Sequence, residues 1–267
     1  MELVTNWDYD DFVIDKTLDS GVTATVYLVT DKDSENQFAM KVVKKNRTRV
    51  FKNEVEILSQ LNHPNVIKLW GSFTPSTHTI GQCMILEYCS HGSLYQYLKS
   101  NGKLTEVKAA TYIKEIVTAI DYCHSQGVTQ RDLKLENILL SDKSDKGVKI
   151  CDFGLSINQL DNIQGPSGTL IYRPPEIFLE KVYDHRCDIW PIGIILYELL
   201  VGSDPFTGCL TDDDCKQMTI AANFTIPPSV SDTAADLINQ LLKHVEERIT
   251  LEDILKHDWL VNMTREG

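Results

Sequence analysis

The spacing of apolar residues changes near Gly92, and a chain that changes in this way needs two kinds of layer. Upstream, β-branched and aromatic residues gather in Phe12-Val13-Ile14, Ala24 to Val29 and Phe38 to Val43, the composition of strands in an antiparallel sheet. Phe51, Val55, Leu58 and Leu61 then recur at helical spacing, and Val66 to Phe73 and Met84 to Glu87 return to strand-like runs. Downstream, Thr105 and Glu106 open a segment that places Val107, Ala110, Ile113, Ile116, Val117, Ile120 and Cys123 at helical spacing before Gly127, which predicts a long, mostly buried helix. Thr211 before Asp212, Ser231 before Asp232 and Thr250 with Asp253 three residues on predict further helix starts. Cys187 to Val201 reads as a central helix, and Pro191 fits it only if the helix begins near Cys187, so that the missing N–H belongs to the unpaired first turn. The expected class is α+β: a small antiparallel sheet lobe with one helix and a larger, mainly helical lobe. No Pro/Ser-rich linker separates the two, so they are expected to share a cleft.

Composition removes several alternatives. Lys and Arg total 26 against 38 Asp and Glu, a formal charge of -12, so a nucleic-acid backbone would be repelled on average. Ile192 to Val201 is the longest apolar stretch, is interrupted by Gly193 and Glu198, and is too short to cross a bilayer. The acidic stretch from Met1 to Lys16 has no apolar run behind a basic start, which argues against a secretory signal and for the cytoplasm, with the nucleus also open. Seven cysteines without CxxC spacing predict buried thiols rather than a metal or disulfide framework.

The residues that carry chemistry lie in Arg131-Asp132-Leu133-Lys134-Leu135-Glu136-Asn137 and, after the short apolar run Val148 to Ile150, in Asp152-Phe153-Gly154. Phosphoryl transfer needs Mg²⁺ held by hard oxygen ligands, and a carboxylate that orients the attacking hydroxyl and accepts its proton. Asp152 and Asn137 suit the metal and Asp132 the hydroxyl. Lys134 offers a compact positive charge beside that carboxylate. Lys41, in a predicted strand, would reach phosphates across the cleft, oriented by Glu54 on the following helix.

Taken in order, these residues resemble the eukaryotic protein kinase family from about Phe12 to Leu260. The shared series is a degenerate Gly-rich loop, Lys41, Glu54, a hinge at Glu87-Tyr88-Cys89, the catalytic loop, Asp152-Phe153-Gly154, Pro174-Pro175-Glu176, Asp188-Ile189-Trp190 and Arg248. The resemblance implies a catalytic domain over 12–260, with a small lobe at about 12–86, a hinge at 87–91 and a large lobe at about 92–260. It implies ATP and Mg²⁺ as cofactors. Leu18, Val26, Ala39 and Leu139 would sandwich the adenine, the Glu87 to Cys89 backbone would bond its edge, Leu86 would be the gatekeeper, and Gly21 would lie nearest the phosphates. It further implies a Glu176–Arg248 ion pair and a structural Asp188 tying the catalytic loop to the central helix. Lys134 with Gly168-Thr169 is similar to the serine/threonine branch, so the expected substrates are Ser/Thr hydroxyls of proteins. Lys256-His257-Asp258-Trp259-Leu260 is similar to the calcium/calmodulin-dependent group. Glu136 and Glu198 match positions that face a substrate arginine in basophilic members, which implies a mild preference for basic peptides; Ser93 stands where those members often carry another glutamate.

Several positions depart from the family pattern. Leu18 to Val26 keeps only the middle glycine of the usual three and places Asp19 where its charge would oppose ATP, so weakened nucleotide affinity is expected. Gln130 stands in place of a histidine that buttresses the catalytic and metal-binding loops. Gly165 occupies the place of the usual phosphorylated hydroxyl, which makes regulation by an upstream kinase at that position doubtful; Ser167 is an available substitute, or an ordinary loop serine. Thr169 is expected to partner Asp132 and Lys134. Asp19, Ala24 and Gln130 keep a second reading open, a pseudokinase scaffold or allosteric activator with weak nucleotide binding, and under either reading an upstream kinase or a regulatory protein is a candidate partner. Retention of Lys41, Asp132 and Asp152 counts against the second reading. A small-molecule kinase is disfavoured by Gly168 to Glu176, which resembles a peptide-docking platform.

Overall fold

Strand pairing near the amino end follows from side-chain alternation and short turns. A computed structural model describes residues 6–76, 81–141, 147–179, 182–209 and 211–266. β1 (Phe12–Ser20), β2 (Ala24–Asp31), β3 (Gln37–Val43), β4 (Leu69–Phe73) and β5 (Gln82–Glu87) form an antiparallel sheet in the order β1-β2-β3-β5-β4. One side of this sheet closes on Phe12, Val29, Phe38, Met40, Val42, Cys83 and Ile85. Against the sheet lies α1 (Thr48–Gln60), which buries Phe51, Glu54, Ile57 and Leu58. Its start is poor by local rules, with Arg47 at the cap position and no acidic residue in the first turn, so packing must hold it.

The second lobe is mainly helical: α2 (Leu94–Asn101), α3 (Glu106–Ser125), α4 (Pro175–Leu179), α5 (Ile189–Val201), α6 (Asp212–Ile220), α7 (Asp232–Leu241), α8 (Leu251–Lys256) and α9 (Asp258–Glu266). Two short antiparallel pairs, β6 (Ile138–Leu140) with β7 (Val148–Ile150) and β8 (Ile163–Gln164) with β9 (Val182–Tyr183), belong to this lobe. The α+β class is therefore as expected. Thr105, Thr211, Ser231 and Thr250 cap helices as their sequence predicts. Two boundaries differ: Val66 makes only a bridge to Ile150, so that strand begins at Leu69, and β5 begins at Gln82 rather than Met84. α2 was not foreseen, although Ser93 and Gln96 form a reciprocal capping box at its start.

α5 is buried on every side from Ile189 to Leu200, which explains its unbroken apolar run. A 3-10 turn, His185–Asp188, precedes it, and Pro191 is its third residue, where no intrahelical N–H is lost. Gly193 lets α7 approach, because a Cβ there would meet Leu241 Cβ at 2.8 Å and Leu242 Cδ2 at 2.7 Å. The expected Glu176–Arg248 pair is present and bidentate, at 2.7 and 2.8 Å. The two side chains are 2% and 0% exposed, and Arg248 also donates to the Lys243 and Arg186 carbonyls.

Removing one partner of such a pair strands a buried charge. Arg248→Ala should lower the unfolding free energy by roughly 3–5 kcal/mol in urea titrations. Arg248→Met combined with Glu176→Leu should recover most of that loss; a double variant as unstable as the single one would contradict this account.

Candidate active site

Three charged side chains meet where the sheet faces the helical lobe. Lys41 on β3 is buried, and its Nζ donates to Glu54 Oε1 and Oε2 at 2.7 and 2.8 Å and to Asp152 Oδ1 at 2.8 Å. Burial alone would lower the Lys41 pKa, but the two carboxylates outweigh it and hold it above its usual value. Burial pushes the Glu54 carboxyl up, with Lys41 pulling against it. Asp152 is pulled below the usual carboxylate value, since Lys41 and the Gly154 N–H outweigh its burial. The alternation of β3 points Lys41 inward, and the α1 turn at Glu54 meets it.

A second set surrounds Asp132. Its Oδ1 accepts the Thr169 N–H and hydroxyl, both at 3.0 Å, and its Oδ2 accepts Asn137 Nδ2 and Lys134 Nζ, both at 3.1 Å. Lys134 Nζ also donates to Thr169 Oγ1 at 2.9 Å. Thr169 is thus the structural partner its sequence context predicts. Gly168 makes this approach possible: its φ is +82°, and a Cβ would lie 2.6 Å from the Arg131 carbonyl.

Gln130 joins the two sets. Fully buried, it accepts the Asp132 N–H on Oε1 at 2.7 Å and donates from Nε2 to the Asp152 carbonyl at 3.2 Å. A primary amide carries both a donor and an acceptor, so one side chain ties the catalytic loop to the Asp152 segment. On either side of this link, Arg131 at φ 72° and Asp152 at φ 57° hold left-handed backbone conformations uncommon for residues other than glycine. Asp188 fixes the loop from below, accepting the N–H groups of Gln130 and Arg131 at 2.8 Å each and pairing with His124 Nε2 at 2.9 Å. His124 shows no sequence signal for this partnership beyond its place on a buried helix face.

The donor set fits Mg²⁺ and a polyphosphate. Asn137 Oδ1 and Asp152 Oδ2 carry no protein hydrogen bond among the described residues, and the Asp152 side chain is 46% exposed toward the cleft. No group of three or more His, Cys, Asp or Glu residues forms a metal cage among the described residues. One carboxylate and one amide oxygen, completed by phosphates and water, is how Mg²⁺ is commonly held. Leu18, Val26, Ala39, Leu86, Cys89 and Leu139 join one apolar cluster, with Ala39 opposite Leu86 across β3 and β5. The Glu87 N–H is taken by the Lys68 carbonyl, and its carboxylate pairs with Lys149 at 3.0 Å.

The Gly21 N–H donates to the Ala24 carbonyl at 2.9 Å and closes the β1–β2 turn. Two expectations are narrowed by burial. Ser167 is 8% exposed, which favours its reading as an ordinary loop serine. Glu198 does not present a free carboxylate: it is 8% exposed and accepts the Tyr172 hydroxyl at 2.7 Å, leaving exposed Glu136 as the acidic position open to substrate.

Residues 12–260 match the family described as protein kinase domain. An Aurora kinase of Yarrowia lipolytica is 38% identical over 266 residues, covering 97% of this chain and 70% of that protein. Aurora kinase A-B of Xenopus laevis is 34% identical, covering 97% of this chain and 64% of its own length. Serine/threonine-protein kinase Aurora-1 of Arabidopsis thaliana is 36% identical, with 96% and 88% covered. These relatives correct the likeness to the calcium/calmodulin-dependent group. The segment behind that likeness serves packing: Trp259 Nε1 donates to Glu106 at 2.8 Å, and His257 pairs with Asp236 at 3.1 Å, seating α9 on α3 and α7.

Two outcomes follow from this geometry. Burial raises the Glu198 carboxyl from 4.5 to about 8. The folded state then holds this proton more tightly than the unfolded chain, so its contribution to stability falls as pH rises between those values. Glu198→Gln keeps an acceptor for Tyr172 and should melt higher than wild type at pH 8 but not at pH 5; equal shifts at both pH values would show that Glu198 does not titrate there. Asp19 is exposed on β1 opposite Val26, and Asp19→Gly should tighten binding of a non-hydrolysable ATP analogue about threefold to tenfold by calorimetry, roughly the size of one screened charge repulsion. Unchanged affinity would remove Asp19 from the nucleotide site.

Proposed function

The chain belongs to the protein kinase family, and from that premise we propose that it transfers the γ-phosphoryl group of ATP to serine and threonine hydroxyls of proteins. The observation that carries this reading is the Asp132 carboxylate, fixed by Thr169, Lys134 and Asn137 a short way from the assembled Lys41–Glu54–Asp152 triad. Mg-ATP, when bound, supplies the phosphoryl group together with a cation that neutralises its charge. Asn137 Oδ1 and Asp152 Oδ2 would hold the metal, and Lys41, already oriented by Glu54, would hold the phosphates. Leu18, Val26, Ala39 and Leu139 would enclose the adenine.

Asp132 orients the acceptor hydroxyl and takes its proton. Thr169 takes both lone-pair directions of Oδ1, and Asn137 and Lys134 take those of Oδ2, so an incoming hydroxyl must displace one of these donors to reach the carboxylate. Lys134 stands beside the charge that develops in transfer and also holds Thr169, the arrangement that favours the serine/threonine branch. Of the two acidic positions that suggested basic peptides, Glu136 alone remains exposed, so any such preference should be mild. The scaffold reading loses one of its motives, since Gln130 supplies a hydrogen bond to both the Asp132 and the Asp152 loops.

Transfer of labelled phosphate from Mg-ATP to mixed Ser/Thr peptides and to a positional library tests the reading. Asp132→Asn and Asp152→Asn should each lower kcat by at least about a hundredfold while melting within a few degrees of wild type. Folded wild-type protein no more active than these variants would refute the enzymatic function, and a library response indifferent to Arg and Lys would remove the basic preference.

A further inference from the structure

Resting on the kinase reading above, we propose that a phosphate-free clamp on the Gly165 carbonyl sets the segment 152–176 for substrate. The chain then phosphorylates proteins without any phosphate on that segment, and Tyr183 is a positioning residue for the reaction.

The segment contains hydroxyls only at Ser156, Ser167, Thr169 and Tyr172. Ser156 is 1% exposed and donates to the Gln130 carbonyl at 3.0 Å. Ser167 is buried, and Tyr172 is buried with its hydroxyl on Glu198. The Thr169 hydroxyl lies between Asp132 and Lys134. In this arrangement each of the four is buried or already engaged, and none is presented to a modifying enzyme.

At the turn itself, Gly165 takes φ +81° and offers only its backbone. Its carbonyl accepts the Tyr183 hydroxyl at 2.9 Å and a longer contact from Arg131 Nη2 at 3.5 Å. Tyr183 is well placed to bear load. It is 6% exposed in a small cluster with Ile163 and Cys187, and its strand pairs with the segment through Ile163↔Tyr183 and Gln164↔Val182. The backbone adds further ties: Thr129 and Ile157 exchange hydrogen bonds at 3.0 Å, and the Leu160 carbonyl accepts the His185 N–H at 2.7 Å. From Gly165 the chain runs three residues to Gly168, whose carbonyl accepts Arg173 Nε at 2.8 Å, and one more to Thr169 on Asp132.

A phosphate orders a loop by giving an arginine a charged partner, which is needed when the loop otherwise has too few contacts to offset its entropy. Here the loop is already paired at both flanks. Several hydrogen bonds acting together on one short segment can do the same work.

The test compares protein treated with phosphatase until its intact mass is that of the bare chain with untreated protein and with protein preincubated with Mg-ATP. Peptide transfer by the phosphate-free form should stay within about twofold of the other two. Tyr183→Phe, which keeps the ring and loses the bond, should lower peptide kcat/KM about fivefold to tenfold. It should leave the melting temperature and affinity for a non-hydrolysable ATP analogue near wild type. Activity that disappears with the phosphate and returns with phosphorylation of residues 152–176 would overturn the proposal, as would a Tyr183→Phe enzyme with wild-type kcat/KM. No transfer by any of the wild-type forms would overturn the kinase reading and this inference together.

Discussion

Asp188 sits 1% exposed at the head of α5, and a carboxylate so far from water is tolerable only where donors converge on it. The Gln130 and Arg131 N–H groups and the His124 ring meet it, and the Cys187 thiol lies 3.9 Å away. Those bonds hold the catalytic loop while Arg131 takes its left-handed conformation, and they join it to the most deeply buried helix of the protein. Everything above it inherits that placement. Gln130 rises from this anchor to the Asp152 carbonyl, Asp132 turns toward Thr169, and Arg131 faces Gly165.

The electrostatics of the cleft depend on the same rigidity. Lys41 is buried with two carboxylates, an arrangement whose desolvation cost is offset only by short, well-aligned contacts. α1 begins without a cap, so its orientation rests on its packed face and on Glu54. Asp152 retains one open oxygen because its strained backbone directs the other to Lys41. Buried Arg248 and Glu176 act further out in the same manner, fixing α4 at the end of the segment that carries Thr169.

Departures from the family pattern have different consequences once placed in space. Gln130 changes little, because an amide offers a donor and an acceptor in the required directions. Gly165 changes more, since it removes a side chain and leaves a carbonyl as the only group for Tyr183 and Arg131 to hold. Glu198 shows the opposite case: a residue whose motif suggests contact with substrate is turned inward by Tyr172.

Much of the fold was legible in the chain itself. Apolar periodicity marked β1 to β3, α1, α3 and α5, and side-chain caps marked the starts of α3, α6, α7 and α8, because these signals act within a few residues. Lys41, Asp132, Lys134, Asn137 and Asp152 were likewise visible, since their chemistry is tied to residue type and short spacing. What the sequence could not express is which of these groups would lose water and to whom each would then turn. Lys41 meets Asp152 across 111 positions, and His124 meets Asp188 across 64. Only packing brings them together, and burial then makes each contact either strong or costly. For the same reason the buried faces of Glu198 and Ser167, the use of the Gly21 N–H within its own turn, and the Tyr183 bond to Gly165 were decided by the tertiary structure alone.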